Sequence, residues 1–248
     1  MNFLSLYKRR FLYFLKKKTN IDLDFPSKNL SLEKLLIKYD SDKASFWQKT
    51  NNGGHGYTDF YLKHLKKLKN KKLNILEIGS YAGASAAAFS KFFPNSKIIC
   101  LDVNISNFKY TSKRIKVFGL NASKESSVKV FFKKLNISSN REYFDIIIDD
   151  GSHRQDDTLK ALNIFFKSLK SNGFYIIEDY RHMNYLKHLT TPNEPKIDKL
   201  IKNIKKKKIF KSKILKSNFQ EELFRKVKTI NYHKGLSKMS DIVFFKKN

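Results

Sequence analysis

Cysteine, arginine and long apolar runs are all scarce in this chain of 248 residues. The single cysteine, Cys100, cannot form an internal disulfide, and it lies within the apolar stretch 97–101. We therefore expect a small buried core residue in a reducing compartment, not a nucleophile. No apolar run approaches the roughly 20 residues that span a bilayer. The expected location is the cytoplasm, with a peripheral membrane contact left open by the N-terminus.

The charge is strongly one-sided, since 51 basic and 22 acidic side chains leave a formal net charge of +29. Such an excess favours an anionic partner, either nucleic acid or a lipid surface. Only seven of the basic residues are arginine, however, and arginine is the side chain that binds phosphates and bases in a bidentate manner. The lysine excess is more typical of a compositional habit, and a nucleic-acid partner is disfavoured.

Residues 1–20 predict a basic amphipathic helix. Its apolar side chains recur on one helical face, namely Phe3, Leu4, Tyr7, Phe11, Phe14 and Leu15. Lys8, Arg9 and Arg10 interrupt any apolar segment of a signal peptide. A helix of this kind either lies on an anionic membrane surface or covers the rest of the domain, and the pattern leaves both open.

From Leu73 onward, short apolar runs alternate with amphipathic segments. The runs predict strands at 73–79, 97–103, 114–119, 144–150 and 173–179, with helices near 82–92, 105–113, 124–135 and 155–170. A lysine-rich helical stretch at 196–208 and a poorly patterned region follow, and the runs 226–233 and 241–247 suit an antiparallel hairpin. The expected fold class is α/β, a doubly wound, mostly parallel, seven-stranded Rossmann-like sheet with an antiparallel last strand.

The stretch LEIGSYAGAS, residues 76–85, carries the first strand into a helix through a glycine turn. Gly79 and Gly83 allow a ligand to approach the backbone closely. Their spacing departs from the GxGxxG of dinucleotide sites, which disfavours a nicotinamide dehydrogenase. Asp102, at the end of the next strand, can accept hydrogen bonds from both hydroxyls of a ribose. The pattern favours a nucleoside cofactor over an ordinary tight turn.

Two pairs of acids end the fourth and fifth strands: Asp149 and Asp150, then Glu178 and Asp179. Neighbouring strands lie about 4.8 Å apart, so four carboxylates converge at one edge of the sheet. Such a cluster requires a proton, a basic partner or a cation, and oxygen ligands suit Mg²⁺ better than zinc. Side chains alternate along a strand, so one of Asp149 and Asp150 faces the metal and the other the cofactor. Alternation alone does not decide which.

His153 follows the fourth strand within DDGSH, residues 149–153. An imidazole titrates near neutral pH, so it can act as a general base over the same crevice. The alternative is that DDGSH begins a helix with Ser152 as its N-cap. One segment can serve both purposes.

Four stretches together resemble one family: KYDSDKASFWQKTNNGGHGYTDFY (38–61), ILEIGSYAGAS (75–85), FDIIIDDGSH (144–153) and GFYIIEDY (173–180). They are similar to the Mg²⁺-dependent sugar O-methyltransferases of the mycinamicin and macrocin type and their relatives in bacterial glycan clusters. The resemblance implies a class I methyltransferase fold and an enzyme that transfers a methyl group from S-adenosyl-L-methionine (AdoMet) to a sugar hydroxyl. Surface-glycan or glycoside biosynthesis is the implied setting.

The resemblance also implies roles for individual residues. Its metal ligands fall on Asp150, Glu178 and Asp179, its base on His153, and its cofactor contacts on Glu77, Gly79, Gly83, Ser85 and Asp102. To the cofactor set we add Ser80, Asn121 and Asp149. Four residues on loops either contact the sugar or are structural: His55, Tyr57, Arg181 and His182. The chain departs from the family at GLNAS (119–123), where relatives carry an acidic residue, and in a longer insert before His55.

The implied mechanism places two adjacent sugar hydroxyls on the metal, where His153 deprotonates one of them for attack on the methyl group. Two alternatives stay open: methylation of another acceptor, a phenol or a nucleic acid, and a non-catalytic methyltransferase-like binding module. We expect three segments, namely the N-terminal segment 1–20, a cover with a substrate-side loop at 21–70, and the AdoMet-binding domain at 71–248. A homo-oligomer is left open.

Overall fold

The computed structural model describes residues 3–24, 30–50, 52–139 and 141–248. Seven strands form one sheet, and we number them in chain order as β1 (Asn74–Ile78), β2 (Lys97–Asp102), β3 (Ile115–Gly119), β4 (Phe144–Asp149), β5 (Leu169–Glu178), β6 (Val227–Lys234) and β7 (Asp241–Lys247). Their order in the sheet is β6-β7-β5-β4-β1-β2-β3. Strand β7 runs antiparallel to both of its neighbours, whereas β2 is parallel to β1 and β3, and β4 to β5. The predicted fold class is therefore confirmed.

The helices alternate with these strands as the sequence pattern indicates. Over the described residues they are α1 (Phe3–Leu15), α2 (Leu32–Lys38), α3 (Thr58–Leu65), α4 (Ala84–Phe92), α5 (Glu125–Lys134), α6 (Gln155–Phe165), α7 (His182–Tyr185), α8 (Ile197–Lys205) and α9 (Ser217–Lys226). Within the part of the chain that the structure describes, no helix has the length and apolar character needed to cross a membrane.

The chain divides into two compact units. The first comprises Met1–Asn121 with Gly235–Lys238, and the second comprises Ala122–Lys234 with Met239–Asn248. Strands β1 to β3 belong to the first unit and β4 to β7 to the second. This division differs from the three expected segments 1–20, 21–70 and 71–248, which remain a prediction.

The core of the first unit is built on β1, β2 and α4. Residues Ile98 to Leu101 of β2 are all buried, and α4 buries Ala86, Ala87 and Ala88, whose small side chains allow close packing. Cys100 lies in the middle of this run, and burial raises the pKa of its thiol well above the usual range. It is the buried core residue that the sequence predicts.

Apolar periodicity sets the core of the second unit. The run Ile146 to Ile148 of β4 is buried on both faces, as expected for a central parallel strand. Helix α8 buries Ile197, Leu200, Ile201 and Ile204, the i, i+3, i+4, i+7 pattern of an amphipathic helix. These side chains hold α8 in the unit despite its many lysines.

Two expectations about local structure were wrong. The segment 105–113 is not a helix but a 3₁₀ turn, Ile105–Asn107, followed by the short strand Tyr110–Thr111, which pairs with Thr19–Asn20. Local hydrogen bonding explains the turn, since the hydroxyl of Ser106 donates to the side chain of Asn104.

The poorly patterned region contains helix α9, which the sequence pattern missed. Its buried face consists of Phe219, Gln220 and Leu223. The amide of Gln220 donates to the carbonyls of Phe210 and Leu215 and accepts from the backbone N–H of Phe210. A buried glutamine whose side-chain amide is hydrogen-bonded takes the place of an apolar residue. A search for apolar periodicity therefore misses the helix.

Candidate cofactor and metal sites

The glycine turn after β1 belongs to the first unit. Gly79 and Gly83 have φ angles of +84° and +79°, in the left-handed region that favours glycine. Gly83 begins α4, and a Cβ atom added to it would lie 2.4 Å from the ring of Phe108. The turn therefore requires glycine at both positions, at Gly83 for steric reasons as well.

Replacing Gly83 by alanine is expected to lower the free energy of unfolding by about 1–3 kcal/mol, since the left-handed backbone is strained and Phe108 must move. Urea unfolding of the pure protein measures this change. Gly53→Ala is the matched control, because its Cβ would meet only the carbonyl oxygen of Ser45, at 3.7 Å. Equal effects of the two substitutions would contradict this account of the turn.

Glu77 and Ser85 face each other across the glycine turn. Glu77 is buried near the end of β1, and the hydroxyl of Ser85, in the first turn of α4, donates a hydrogen bond to its carboxylate. Ser80 is also buried in the turn, and its carbonyl accepts from the N–H of Gly83. The turn thus places a buried carboxyl group beside the start of α4.

Asp102, at the end of β2, is oriented by two backbone amides. The N–H of Tyr81 donates to Oδ2 at 2.8 Å and the N–H of Asn104 to Oδ1 at 2.6 Å. Each carboxylate oxygen has a second lone pair, so hydroxyl donors can still bind. Asn121 follows β3, directly after Leu120, whose N–H donates to the carbonyl of Asp102 at 2.9 Å.

Tyr81 is a residue of this site that the sequence reasoning missed. It lies between the two glycines with a φ angle of +40°, and its side chain is exposed. The ammonium of Lys49 lies over its ring, 5.4 Å from the centroid. A tyrosine held in the left-handed region, with its amide on Asp102, points to a local constraint of the kind found at binding sites.

Glu33 closes the base of the loop that precedes α3. One oxygen of Glu33 accepts from the N–H of Ser45 at 2.8 Å and from its hydroxyl, and the other accepts from the hydroxyl of Thr58. Within the loop, the ring of His55 stacks on Tyr57 with centroids 5.2 Å apart. Tyr57 is fully buried, so in this structure it supports His55 and the loop.

The second unit brings four of the predicted residues together beyond the ends of β4 and β5. Nε2 of His153 lies 3.8 Å from Oδ1 of Asp150 and 4.0 Å from Oδ2 of Asp179. Nε2 of His182 lies 3.7 Å from Oδ1 of Asp179, and the two imidazole rings meet edge to face at 4.7 Å. Asp179 is buried, and so is Glu178 at the end of β5. The structure thus forms a carboxylate–imidazole cluster, Asp150, His153, Asp179 and His182.

Two residues of this cluster have left-handed backbones. His153 has a φ angle of +55° and Asp179 of +51°. Each such residue costs on the order of 1–3 kcal/mol and persists only where the surroundings enforce it. The strained residues are the predicted base and one of the predicted metal ligands. This coincidence supports a functional role for the cluster.

An acid followed three residues later by a histidine occurs twice in the sequence, and this repeat indicates a role for His182 beside Asp179 that we did not predict. Asp150 and His153 are three residues apart, and so are Asp179 and His182. Ligand atoms of His153, Asp179 and His182 all lie within 4.8 Å of one another, so this trio could also hold a metal ion. Imidazoles favour zinc or iron, whereas Asp150, Glu178 and Asp179 offer only oxygen and favour Mg²⁺. Asp179 is common to both sets.

Arg181 and Ser152 each contact an acidic side chain of the second unit. Arg181 lies with Nη1 3.7 Å from Oδ1 of Asp241 on β7, an ion pair that ties the loop to the sheet. Ser152 does not cap α6. Arg154 occupies that position, and Ser152 donates to Asp157 at 2.7 Å instead.

Asp149 lies inside the second unit, buried at the end of β4. Burial raises its pKa to about 7, and the charges of Asp150 and Asp157 act in the same direction, while the amide of Gly151 opposes them. The buried hydroxyl of Tyr175, on β5, has its own pKa raised by burial and by the Asp149 carboxylate. The contact of Asp149 with a cofactor remains a prediction.

Replacing Asp149 by asparagine is expected to stabilise the protein above neutral pH. An unfolded aspartate has a pKa near 3.9, so the folded state binds this proton more tightly and loses stability as the pH rises from about 4 towards 7. The gain should be near zero at pH 4 and up to about 4 kcal/mol above pH 7, at 1.36 kcal/mol per pKa unit. Urea unfolding with EDTA at several pH values measures it. Asp145→Asn, which breaks an ion pair with Lys170, serves as a control that does not stabilise.

The sheet order with its inverted strand, the glycine turn and the acidic strand ends together define a class I methyltransferase fold. Residues 69–228 match the family model described as a methyltransferase domain, and the chain belongs to that family.

Relatives and solved structures agree with this assignment. L-olivosyl-oleandolide 3-O-methyltransferase of Streptomyces antibioticus is 31% identical over 155 residues, 60% of this chain and 36% of that protein. Mycinamicin VI 2''-O-methyltransferase of Micromonospora griseorubida is 26% identical over 62% of this chain and 37% of that protein. The chain therefore matches little more than a third of these curated relatives.

The fold is also that of a solved enzyme. MycE, a methyltransferase of the mycinamycin biosynthetic pathway determined with Mg and SAH, superimposes with a TM-score of 0.64 at 20% identity, over 89% of this chain and 55% of that one. At this identity the likeness shows the fold alone.

Proposed function

We propose that this protein is an AdoMet-dependent, divalent-metal-dependent O-methyltransferase that acts on a sugar hydroxyl. The observation that carries the proposal is the carboxylate–imidazole cluster, where a histidine nitrogen lies within 4.0 Å of two carboxylates on adjacent strand ends. The relatives named above act on sugar-bearing compounds by their names, and surface-glycan or glycoside synthesis is the setting we propose.

The first unit is proposed to hold AdoMet. Asp102, oriented by two amides, accepts the ribose hydroxyls, and Glu77 provides the negative charge for the cationic methionine end. Gly79 and Gly83 keep side chains away from the ligand, with Ser80 and Ser85 lining the turn. Asn121, which follows Leu120 after β3, is proposed to contact the adenine.

The second unit fits a divalent cation by the chemistry of its side chains. Asp150, Glu178 and Asp179 lie at neighbouring strand ends, and two of them are buried. Carboxylates that converge at neighbouring strand ends would favour a bound cation over joint ionisation. These three residues would hold Mg²⁺ or a similar ion, which when bound would lower the pKa of a hydroxyl that ligates it.

His153 is proposed as the general base. Its Nε2 takes the proton of the acceptor hydroxyl, and the two carboxylates within 4.0 Å stabilise the imidazolium that results. AdoMet, when bound, would supply its methyl group to the deprotonated acceptor oxygen and leave as the thioether. Because AdoMet is already a reactive donor, orientation and removal of the proton supply most of the rate gain.

His182 is proposed to position the base. Its ring edge meets His153 and its Nε2 faces Asp179, so it limits the rotation of both groups. His55 and Tyr57 remain proposed substrate-side residues, with His55 closer to solvent, and Arg181 is proposed to hold the loop after β5 through Asp241.

Isothermal titration calorimetry of the full chain with AdoMet, with and without Mg²⁺, tests the cofactor part. We expect AdoMet to bind, and Asp102→Asn to weaken it at least about tenfold through lost charge-assisted hydrogen bonds. A screen of nucleotide-sugars and glycosides with labelled AdoMet then tests the acceptor class. AdoMet binding without transfer to any acceptor would favour a non-catalytic module, and transfer only to RNA or phenols would refute the sugar assignment.

A further inference from the structure

Helix α1 contacts the first unit through its polar side. The guanidinium of Arg10 donates to the carbonyl of Gly119 from Nε at 3.0 Å and from Nη2 at 2.6 Å. Lys16 donates to the carbonyls of Ser106 and Asn107, at 3.0 and 3.1 Å. The ring of Tyr13 meets Phe108 edge to face at 6.4 Å. The helix is thus attached to its own unit mainly by cations on backbone carbonyls.

The apolar face of α1 points outward. Phe14 is 78% exposed, Leu15 67%, Phe11 62% and Tyr7 51%. At 100° per residue these four side chains fall within an arc of about 100°, opposite the side of Arg9, Tyr13 and Lys16. An amphipathic helix that merely covered its domain would bury this stripe. Here the stripe is presented to the surroundings.

The charge around the exposed stripe is entirely positive. Residues 3–18 include six basic side chains and no acidic one, and Lys8 and Lys17 beside the stripe are exposed. Aromatic and aliphatic side chains flanked by lysines are the pattern of helices that lie in the interface of an anionic bilayer. A protein partner would have to supply both an apolar groove and a ring of acids.

We propose that α1 is a membrane-docking element that inserts the Tyr7–Phe11–Phe14–Leu15 face into the surface of an anionic bilayer. The polar side of the helix keeps its contacts with Gly119, Ser106 and Asn107, so the first unit is carried to the membrane without rearrangement. This inference is independent of the proposed methyl transfer.

Vesicle flotation with the full chain tests the proposal. Binding to vesicles of phosphatidylcholine with phosphatidylglycerol should exceed binding to phosphatidylcholine alone and should weaken with salt. Phe11→Ser with Phe14→Ser should reduce binding about tenfold or more, because apolar insertion is lost while the charge is unchanged. The matched control is Val130→Ser with Ile209→Ser, which removes two exposed apolar side chains elsewhere and should bind like the parent protein.

A fluorescence measurement covers the case in which the phenylalanine variant folds poorly. Trp47 is the only tryptophan, so Phe11→Trp in a Trp47→Phe background reports on α1 alone. Its emission should shift to the blue on anionic vesicles, whereas Val130→Trp in the same background should not shift. Equal binding by the parent and the double phenylalanine variant would overturn the proposal. So would an absence of vesicle binding together with a dimer that the phenylalanine substitutions dissociate, which would make the stripe an interface between two copies.

Discussion

His153→Ala is expected to lower kcat by about 10²–10⁴-fold, the range that a positioned general base contributes, while the Kd for AdoMet changes by less than about twofold. The physical reason is that the proposed mechanism assigns His153 to the acceptor proton, whereas it assigns the glycine turn and Asp102 to the cofactor. Transfer from labelled AdoMet gives kcat, and calorimetry gives Kd.

The control for this substitution is His188→Ala, which removes an exposed histidine outside the carboxylate–imidazole cluster and should leave kcat unchanged. Full activity of the His153 variant would show that His153 is not the base. A loss of metal affinity together with activity would assign His153 to the metal instead, as the trio of His153, Asp179 and His182 allows.

Asp179→Asn is expected to have the second large effect, a loss of about 10–100-fold in affinity for the divalent ion with a corresponding loss of turnover. Asp179 is buried, faces both imidazoles and belongs to both possible ligand sets. Titration with Mg²⁺ or Mn²⁺, followed by calorimetry, measures the affinity directly and does not depend on the acceptor.

Comparison with Asp145→Asn isolates the effect, because Asp145 lies near the other end of β4 and pairs with Lys170. Glu178→Gln and His182→Gln then separate the ligand sets. We expect Glu178→Gln to weaken Mg²⁺ binding strongly and His182→Gln only slightly. The reverse order would indicate a histidine-rich site for a softer metal.

The sheet could be predicted almost completely because each strand carries its own apolar signal. The run Ile146 to Ile148 and the hairpin at the C-terminus identify β4, β6 and β7 without any contact information. The segment 105–113 and helix α9 could not be predicted from apolar periodicity, since hydrogen bonds of Ser106 and Gln220 decide them.

The sequence predicts which residues gather in the carboxylate–imidazole cluster better than it predicts their arrangement. The acids at the ends of β4 and β5 indicate a cation from sequence alone, because parallel strands end at one edge. Alternation along β4 left Asp149 and Asp150 undecided, and only the fold shows Asp149 buried among Gly151 and Tyr175. The pairing of His182 with Asp179 depends on the left-handed backbone at Asp179. No pattern in the sequence predicts that backbone conformation.

Transfer of a labelled methyl group from AdoMet to a glycoside acceptor, measured before and after treatment with EDTA, decides whether the protein is a metal-dependent sugar O-methyltransferase. We expect EDTA to abolish this transfer and added Mg²⁺ to restore it in the parent protein, with no restoration in Asp179→Asn. Transfer that persists undiminished in EDTA would contradict this expectation.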